Sequence, residues 1–279
     1  MKADPPFRHH EPIAVGSDAW LVRQLQGEGT SPMAVYVNSL VIKSKEPVIV
    51  DTGTVANRKQ WLEDVFSLVE PADVRWIFLS HDDHDHVGNL EEVLEACPKA
   101  TLVTTWFSGE RLAGDIKLPL ERCRWVNNGE GFDVGDRTLV ALTPPLFDAP
   151  TTRGLFDSRT GVYWAVDCFA SPVPGPTDNC ADLDIDFWRE SLSMGNRLIS
   201  PWHEWLDESK WGAYVDMVEG LGITAIASGH APIISGPLVA EEFYVLRQSP
   251  RLDTMPLPGQ VDLEALIAAA SVAPDTLVA

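Results

Sequence analysis

The chain has 279 residues, 45% of them hydrophobic, enough for one large domain or two packed halves around a substantial core. Twenty-one Lys and Arg stand against 41 Asp and Glu, and the formal net charge of -20 repels phosphate backbones, so nucleic acid is not an expected partner. No uncharged apolar run approaches the roughly 18–20 residues that cross a bilayer, so no membrane span is expected.

Residues 1–6 lack the basic region and apolar stretch of a secretory signal. Cys97, Cys123, Cys168 and Cys180 are scattered without a CxxC pair, and together these features predict a cytoplasmic protein with reduced thiols. After a polar lead in which His9 and His10 read as surface residues, 18–25 and 33–42 are rich in β-branched and aromatic side chains and predict successive strands. Residues 47–50 form a buried strand ending in the polar turn Asp51-Thr52-Gly53, and a helix follows over 58–69. A strand over 74–79, a polar loop, a helix over 89–96 and a strand over 100–104 make a β-loop-α-β unit. Residues 107–122 read as helix or loop, 131–142 as two strands around a turn, and 143–150 as a loop. The segment 160–167 is a turn and a strand ending on Asp167, and 171–183 is a Pro- and Asp-rich loop. Helices are predicted over 184–195 and 207–220, a strand over 223–228 running into Gly229-His230, and a terminal helix over 261–270 before a fraying tail.

The polar loop after residue 79 holds three histidines and three aspartates in the six positions His81 to His86. Capping, turn formation or solvation accounts for a lone histidine or aspartate, but not for this density. Three strand ends thus deliver His81, Asp83, Asp85 and His86, then Asp167, then His230, and loops at one end of a layered sheet commonly form one cleft. Imidazole and carboxylate without thiolate suit zinc, iron or manganese, and the high share of carboxylate favours iron and manganese.

With these residues in view, the chain resembles the metallo-β-lactamase superfamily. That superfamily carries a strand-Asp-x-Gly turn, then H-x-H-x-D-H between a strand and a helix, then later His, Asp and His ligands. Asp51-Thr52-Gly53 matches the turn, His81-x-Asp83-x-Asp85-His86 the signature, Asp167 the bridging aspartate and Gly229-His230 the last ligand, over roughly residues 20–240 in the expected order. The resemblance implies an αββα sandwich. An Asp-Thr-Gly also occurs in aspartic proteases, but that chemistry needs a pair and one is present here.

Two departures narrow the resemblance. Asp83 replaces the middle histidine, and an acid there is similar to the H-x-E-x-D-H of the oxygen-binding diiron branch, the flavodiiron proteins. That branch has L-H-x-P-[DS]-[ST] before the bridging aspartate, and Phe147-Asp148-Ala149-Pro150-Thr151-Thr152 aligns with it, placing Asp148 where the histidine belongs. The resemblance then implies two metal ions, one on His81, Asp83 and Asp148, the other on Asp85, His86 and His230, with Asp167 bridging. His203 is the rival to Asp148, with an aromatic-cluster histidine as its plainer role. Asp85 and His84 are the catalytic candidates: in a hydrolase Asp85 would orient a metal-bridging water, and His84 supports the ligands or donates a proton.

Iron is the implied metal, with zinc and manganese as alternatives, and the implied activity is binding or reduction of O2 or NO, or oxidation of a small substrate. A dinuclear zinc or iron hydrolase of an ester, lactone or phosphodiester stays open, as does a non-catalytic oxygen sensor. Forty-nine residues follow His230, too few for a flavodoxin-like domain, so no FMN site is expected and a separate electron donor is. Trp164, Trp202, Trp205 and Trp211 are candidates to line the pocket, with core packing as their plainer role. Residues 1–240 are read as the metal-binding domain and 241–279 as a helical extension, and a homodimer is carried as an expectation.

Overall fold

In strands such as Trp20-Leu21-Val22 and Leu40-Val41-Ile42, successive apolar side chains point to opposite faces, so each sheet has two faces to cover. A computed structural model describes residues 7–272 and shows two sheets. The first runs in chain order through β1 (Phe7–Ala14), β2 (Ala19–Gln26), β3 (Val35–Ile42), β4 (Val48–Val50), β5 (Trp76–Phe78), β6 (Thr101–Thr104) and β7 (Cys123–Trp125). Its pairings are antiparallel as far as β4 and parallel from β4 onward. The second contains β8 (Gly131–Asp133), β9 (Thr138–Leu142), β10 (Gly154–Asp157), β11 (Val162–Trp164), β12 (Ala225–Ala227) and β13 (Ile234–Ser235), in the spatial order β13-β12-β11-β10-β9-β8.

The inner faces meet in one core, where Leu21, Leu40, Phe78 and Val103 pack with Leu139, Ala141, Leu155 and Trp164. The outer face of the first sheet, with Val22, Val41 and Ile77, is covered by α1 (Arg58–Leu68) and by the helices after the histidine cluster, α2 (His84–Val87) and α3 (Leu90–Ala96). Next in the chain is α4 (Trp106–Leu112). The outer face of the second sheet, with Tyr163 and Ile226, is covered by Trp188 and Leu192 of α5 (Ile185–Ile199), Val215 of α6 (Glu208–Glu219) and Phe243 and Leu246 of α7 (Pro237–Leu246). Helix, sheet, sheet, helix is the αββα sandwich. The chain closes with α8 (Gln260–Val272), and the tail beyond it lies outside the described residues.

Several elements differ from the sequence expectation. The polar lead is β1, paired with β2 through a bulge between His10 and Ile13. His9 Nδ1 lies 2.9 Å from the Asp64 carboxylate and His10 Nε2 lies 2.7 Å from that of Glu28, so both rings have acidic partners and are only partly exposed. The helix predicted over 89–96 is preceded by the single turn α2, and α5 runs four residues past the predicted end. Strand β10 and helix α7 were not expected; α7 starts on Gly236-Pro237 and spans residue 240, the end assigned to the metal-binding domain. Among the described residues no helix is long and apolar enough to cross a membrane, and Cys97, Cys123, Cys168 and Cys180 are free thiols.

Strands β4 and β5 are parallel, as are β11 and β12, and β9 runs in the direction of β11 because both are antiparallel to β10. The chain therefore leaves each pair at one sheet edge, and Asp51, His81, Asp148, Asp167 and His230 follow these strand ends.

Candidate metal centre

The Asp51 turn and the histidine cluster are stitched together by their backbones. Thr52 N donates to His86 O at 2.6 Å, and Gly88 N donates to Gly53 O at 2.7 Å. The Asn89 amide donates to Thr52 O at 2.7 Å and to Thr54 O at 3.1 Å. The turn α2 starts where His86 N and Val87 N donate to Asp83 O, and it presents Asp85 and His86 on one side.

Asp51 stands at φ 57°, a left-handed conformation uncommon outside glycine. Its buried carboxylate accepts from Ser80 N and Ser80 Oγ, each at 2.7 Å, from His86 Nδ1 at 2.9 Å and from Trp164 Nε1 at 3.1 Å. Val166 and Phe169 are also left-handed, at φ 61° and 69°, and they bracket Asp167. A β-branched residue there is strained, and clustering of such residues around one site is typical of functional loops. Gly229 N and Ser228 Oγ hold this turn through Val166 O, at 2.6 and 2.9 Å, tying Asp167 to the loop of His230.

Asp167 is the hub. Its Oδ1 lies 3.1 Å from His86 Nε2 and 3.0 Å from His230 Nε2, and its Oδ2 lies 3.3 Å from His81 Nε2. Each ring's other nitrogen has an anchor: His81 Nδ1 faces Ser80 Oγ at 3.1 Å, His86 Nδ1 faces Asp51, and His230 Nδ1 donates to Tyr36 O at 2.8 Å. Potential ligand atoms of His81, Asp83 and Asp148 lie within 4.8 Å of one another, as do those of Asp85, His86 and His230, and those of His81, His86 and Asp167. All seven residues expected to hold metal therefore converge.

Burial alone would raise the Asp167 carboxyl, but the imidazoles of His81, His86 and His230 outweigh it and hold the group well below the usual carboxylate range. Conversely, burial would lower His86, but the carboxylates of Asp167, Asp51 and Asp85 raise it well above an ordinary histidine. Asp148, at the rim, is pushed up to about 6 by desolvation of its carboxyl and by the Asp167 charge. The His81 imidazole, with Nε2 3.6 Å from Asp83 Oδ2, lowers the Asp83 carboxyl. His81 Nε2, His86 Nε2 and both oxygens of Asp167 are buried without a hydrogen-bond partner. Such atoms are costly when left unpaired, and metal cations among them would satisfy all four, so the donor set fits a metal.

Other candidates stand elsewhere. His203 is fully buried with Nδ1 2.8 Å from Ser249 O and belongs to none of the ligand groups. His84 is exposed beside Asp82, Asp83, Asp85 and Arg111 on an open cleft of about 470 Å³. Asp82 turns away to Arg111, 2.6 Å from its Nε, and to Thr151 Oγ1 at 3.0 Å. Trp164 is core and a donor to Asp51, Trp205 is 80% exposed, and Trp202 and Trp211 line a separate apolar pocket. The anchoring roles of Ser80, Trp164 and the Tyr36 carbonyl had no local signal beyond their positions in or beside strands.

The ODP family beta lactamase model matches residues 35–231, a span that includes every convergent side chain. Diflavin flavoprotein A 1 of Synechocystis sp. (strain ATCC 27184 / PCC 6803 / Kazusa) is 24% identical over 206 residues, covering 71% of this chain and 34% of that protein. The anaerobic nitric oxide reductase flavorubredoxin of Salmonella typhi is 24% identical over 157 residues, covering 56% of this chain and 33% of that protein. This chain therefore spans about a third of the length of these curated relatives. Among solved structures, rubredoxin oxygen:oxidoreductase from Desulfovibrio gigas matches with a TM-score of 0.72 at 15% identity, over 86% of this chain and 61% of that one. The flavodiiron protein from Giardia intestinalis matches with a TM-score of 0.75 at 15% identity, over 88% and 60%. These two likenesses concern the fold.

Proposed function

Since this chain belongs to the ODP family beta lactamase group, we propose that it is a dinuclear iron protein that binds or reduces O2 or NO, or oxidises a small substrate. One ion is assigned to His81, Asp83 and Asp148, the other to Asp85, His86 and His230, with Asp167 bridging. The observation that carries the reading is the meeting of two acids, Asp83 and Asp148, with His81 inside 4.8 Å. Carboxylate oxygens in place of imidazoles favour a harder ion than zinc. The names of two relatives, a nitric oxide reductase and an oxygen:oxidoreductase, support the choice of small molecule.

Iron bound there would supply redox chemistry and open coordination positions for a diatomic gas. The residues of the chain do the rest. Asp51 and Tyr36 O fix the ring orientations of His86 and His230, Asp85 orients the bound molecule, and exposed His84 hands in protons from the cleft. Residues 1–240 are taken as the metal-binding unit and 241–279 as an extension packed on it through α7. Reduction of O2 or NO consumes electrons, so a separate electron donor belongs to the reading. The cytoplasm, in keeping with four free thiols, and a homodimer, testable by light scattering, belong to it as well.

Protein produced with iron is expected to hold two irons per chain, with a ferric absorption that bleaches on reduction and returns in air, and to consume O2 or NO when supplied with reductant. Two zincs with esterase, lactonase or phosphodiesterase turnover would replace this reading with a hydrolase. Reversible O2 binding without turnover would make it an oxygen sensor. Asp83→His and Asp148→His are expected to move selectivity from iron toward zinc, and unchanged selectivity in both overturns the ligand assignment.

A further inference from the structure

Asp148 is the outlying member of the ligand set. It stands exposed on the loop between β9 and β10, whereas His81, His86 and Asp167 are buried. An aspartate oxygen also reaches less far from the backbone than the imidazole that the sequence pattern leads one to expect there. For that oxygen to lie within 4.8 Å of the ligand atoms of His81 and Asp83, the loop itself has to be held close to the centre.

Both flanks of the loop are held by groups outside it. On the upstream side, Phe147 O accepts from Ser200 Oγ and from Trp202 Nε1, each at 3.0 Å, and Pro145 O accepts from Trp211 Nε1 at 3.0 Å. The Phe147 and Trp202 rings pack with centroids 4.9 Å apart, so Trp202 grips the residue before Asp148 by its ring as well as by its donor. On the downstream side, the buried Thr151 donates its hydroxyl to Asp82 Oδ1 at 3.0 Å, and Arg153 N donates to Ser80 O at 2.9 Å. Asp82 is the aspartate of the His81–His86 segment that belongs to none of the ligand groups. Its carboxylate is 5% exposed, and Oδ2 lies 2.6 Å from Arg111 Nε. An acid so shielded needs partners, and the two it has lie on α4 and on the Asp148 loop, so one side chain ties both to the histidine cluster.

We propose that Asp82 with Thr151 on one flank, and Trp202 with Ser200 on the other, are positioning residues for Asp148. They hold the loop where an aspartate reaches the ion shared with His81 and Asp83. The inference rests on the assignment of Asp148 to that ion. None of the four residues belongs to a ligand group; each acts through the backbone on either side of Asp148. A ligand on an exposed loop loses conformational freedom when it binds, and fixing the loop beforehand removes that cost from the binding step. Partners that orient ligands are worth about 10–100-fold in metal affinity.

The test is anaerobic titration of the metal-free protein with ferrous iron against a chromophoric chelator, giving a dissociation constant for each of two ions. Thr151→Val keeps the side-chain shape and removes the hydroxyl, while Trp202→Phe keeps a ring and removes the donor. Each is expected to weaken one ion by about 10-fold or more and to leave the other unchanged. The weakened ion is the one that Asp148→Ala weakens, and on an Asp148→Ala background neither substitution has a further effect. Unchanged affinity in either variant overturns the role of its flank. Equal weakening of both ions, or the same loss on the Asp148→Ala background, overturns the proposal, because a merely structural contribution behaves that way. Should Trp202→Phe fail to fold by circular dichroism, Ser200→Ala removes the other donor to Phe147 O and is read in its place. Asp148→Ala with both affinities intact is a separate failure: it removes the ligand assignment, and the positioning roles with it.

Discussion

The Asp51 carboxylate, 2.9 Å from Nδ1 of His86, decides which nitrogen of that ring faces the metal centre. With Nδ1–H donated to Asp51, Nε2 is left as the lone-pair side, 3.1 Å from Asp167 Oδ1. The same carboxylate takes Ser80 and Trp164 as further donors, so one side chain ties β4, the histidine cluster and β11 together.

Asp51→Asn is expected to keep the turn, because asparagine tolerates the φ of 57°, while losing the charge that orients His86. Metal affinity should fall by about 10–100-fold, measured by competition with a chromophoric chelator. An unchanged affinity would reduce Asp51 to a turn-former.

Removal of metal should lower the melting temperature. Four buried atoms of His81, His86 and Asp167 lack hydrogen-bond partners without it, and one ion at a hundred times its dissociation constant stabilises by about 2.7 kcal/mol. Anaerobic addition of ferrous iron should raise the melting temperature in a concentration-dependent way, and a chelator should reverse it. Indifference to both would contradict metal binding at this cluster.

Gly88→Ala should damage the centre from behind. A Cβ at Gly88 would lie 2.5 Å from Val55 N and 2.6 Å from Gly53 O, where the helix after the cluster presses on the Asp51 turn. A loss of about 1–3 kcal/mol in denaturant unfolding is expected from such overpacking, together with weaker metal binding. Gly175→Ala, with no neighbour within 4 Å, is the matched control and should be close to neutral.

Glu242, fully buried on α7 with neither oxygen hydrogen-bonded, gives a pH prediction remote from the cluster. Desolvation, then the neighbouring Glu241 charge, raises its carboxyl well above the ordinary 4.5. The folded state thus keeps this proton to higher pH than the unfolded chain. Its contribution is full below 4.5 and is lost as pH rises through the folded value. Glu242→Gln should therefore unfold at higher denaturant than the parent at pH 8, by about 1–3 kcal/mol, with the difference shrinking toward pH 4. A constant difference across that range would show that the carboxyl does not titrate with folding.

Much of the architecture was legible in local pattern. Doubly buried strands such as 35–42 read as apolar runs, and the helices over 58–69, 184–195 and 207–220 were legible; in the structure Asp184 and Asp207 cap the last two. Strand β1 was not legible, because its residues Phe7–Ala14 alternate poorly, contain Pro12 and owe their extension to pairing with β2. Helix α7 was missed because its apolar residues face a sheet that is far away in sequence and their period is weak without it.

By itself, the sequence determined the crowded segment His81 to His86, since spacing inside one strand end and one helical turn is a local matter, and it determined which later strand ends carry Asp167 and His230. Only the tertiary structure decided which side chains stand together. Asp148 meets His81 and Asp83 because β9 runs parallel to β11 and ends at the same edge, whereas His203 is turned inward to Ser249 O by the packing of its 3₁₀ turn. The network on Asp51 arises in the same way, from contacts between residues distant along the chain, whose geometry no local pattern encodes.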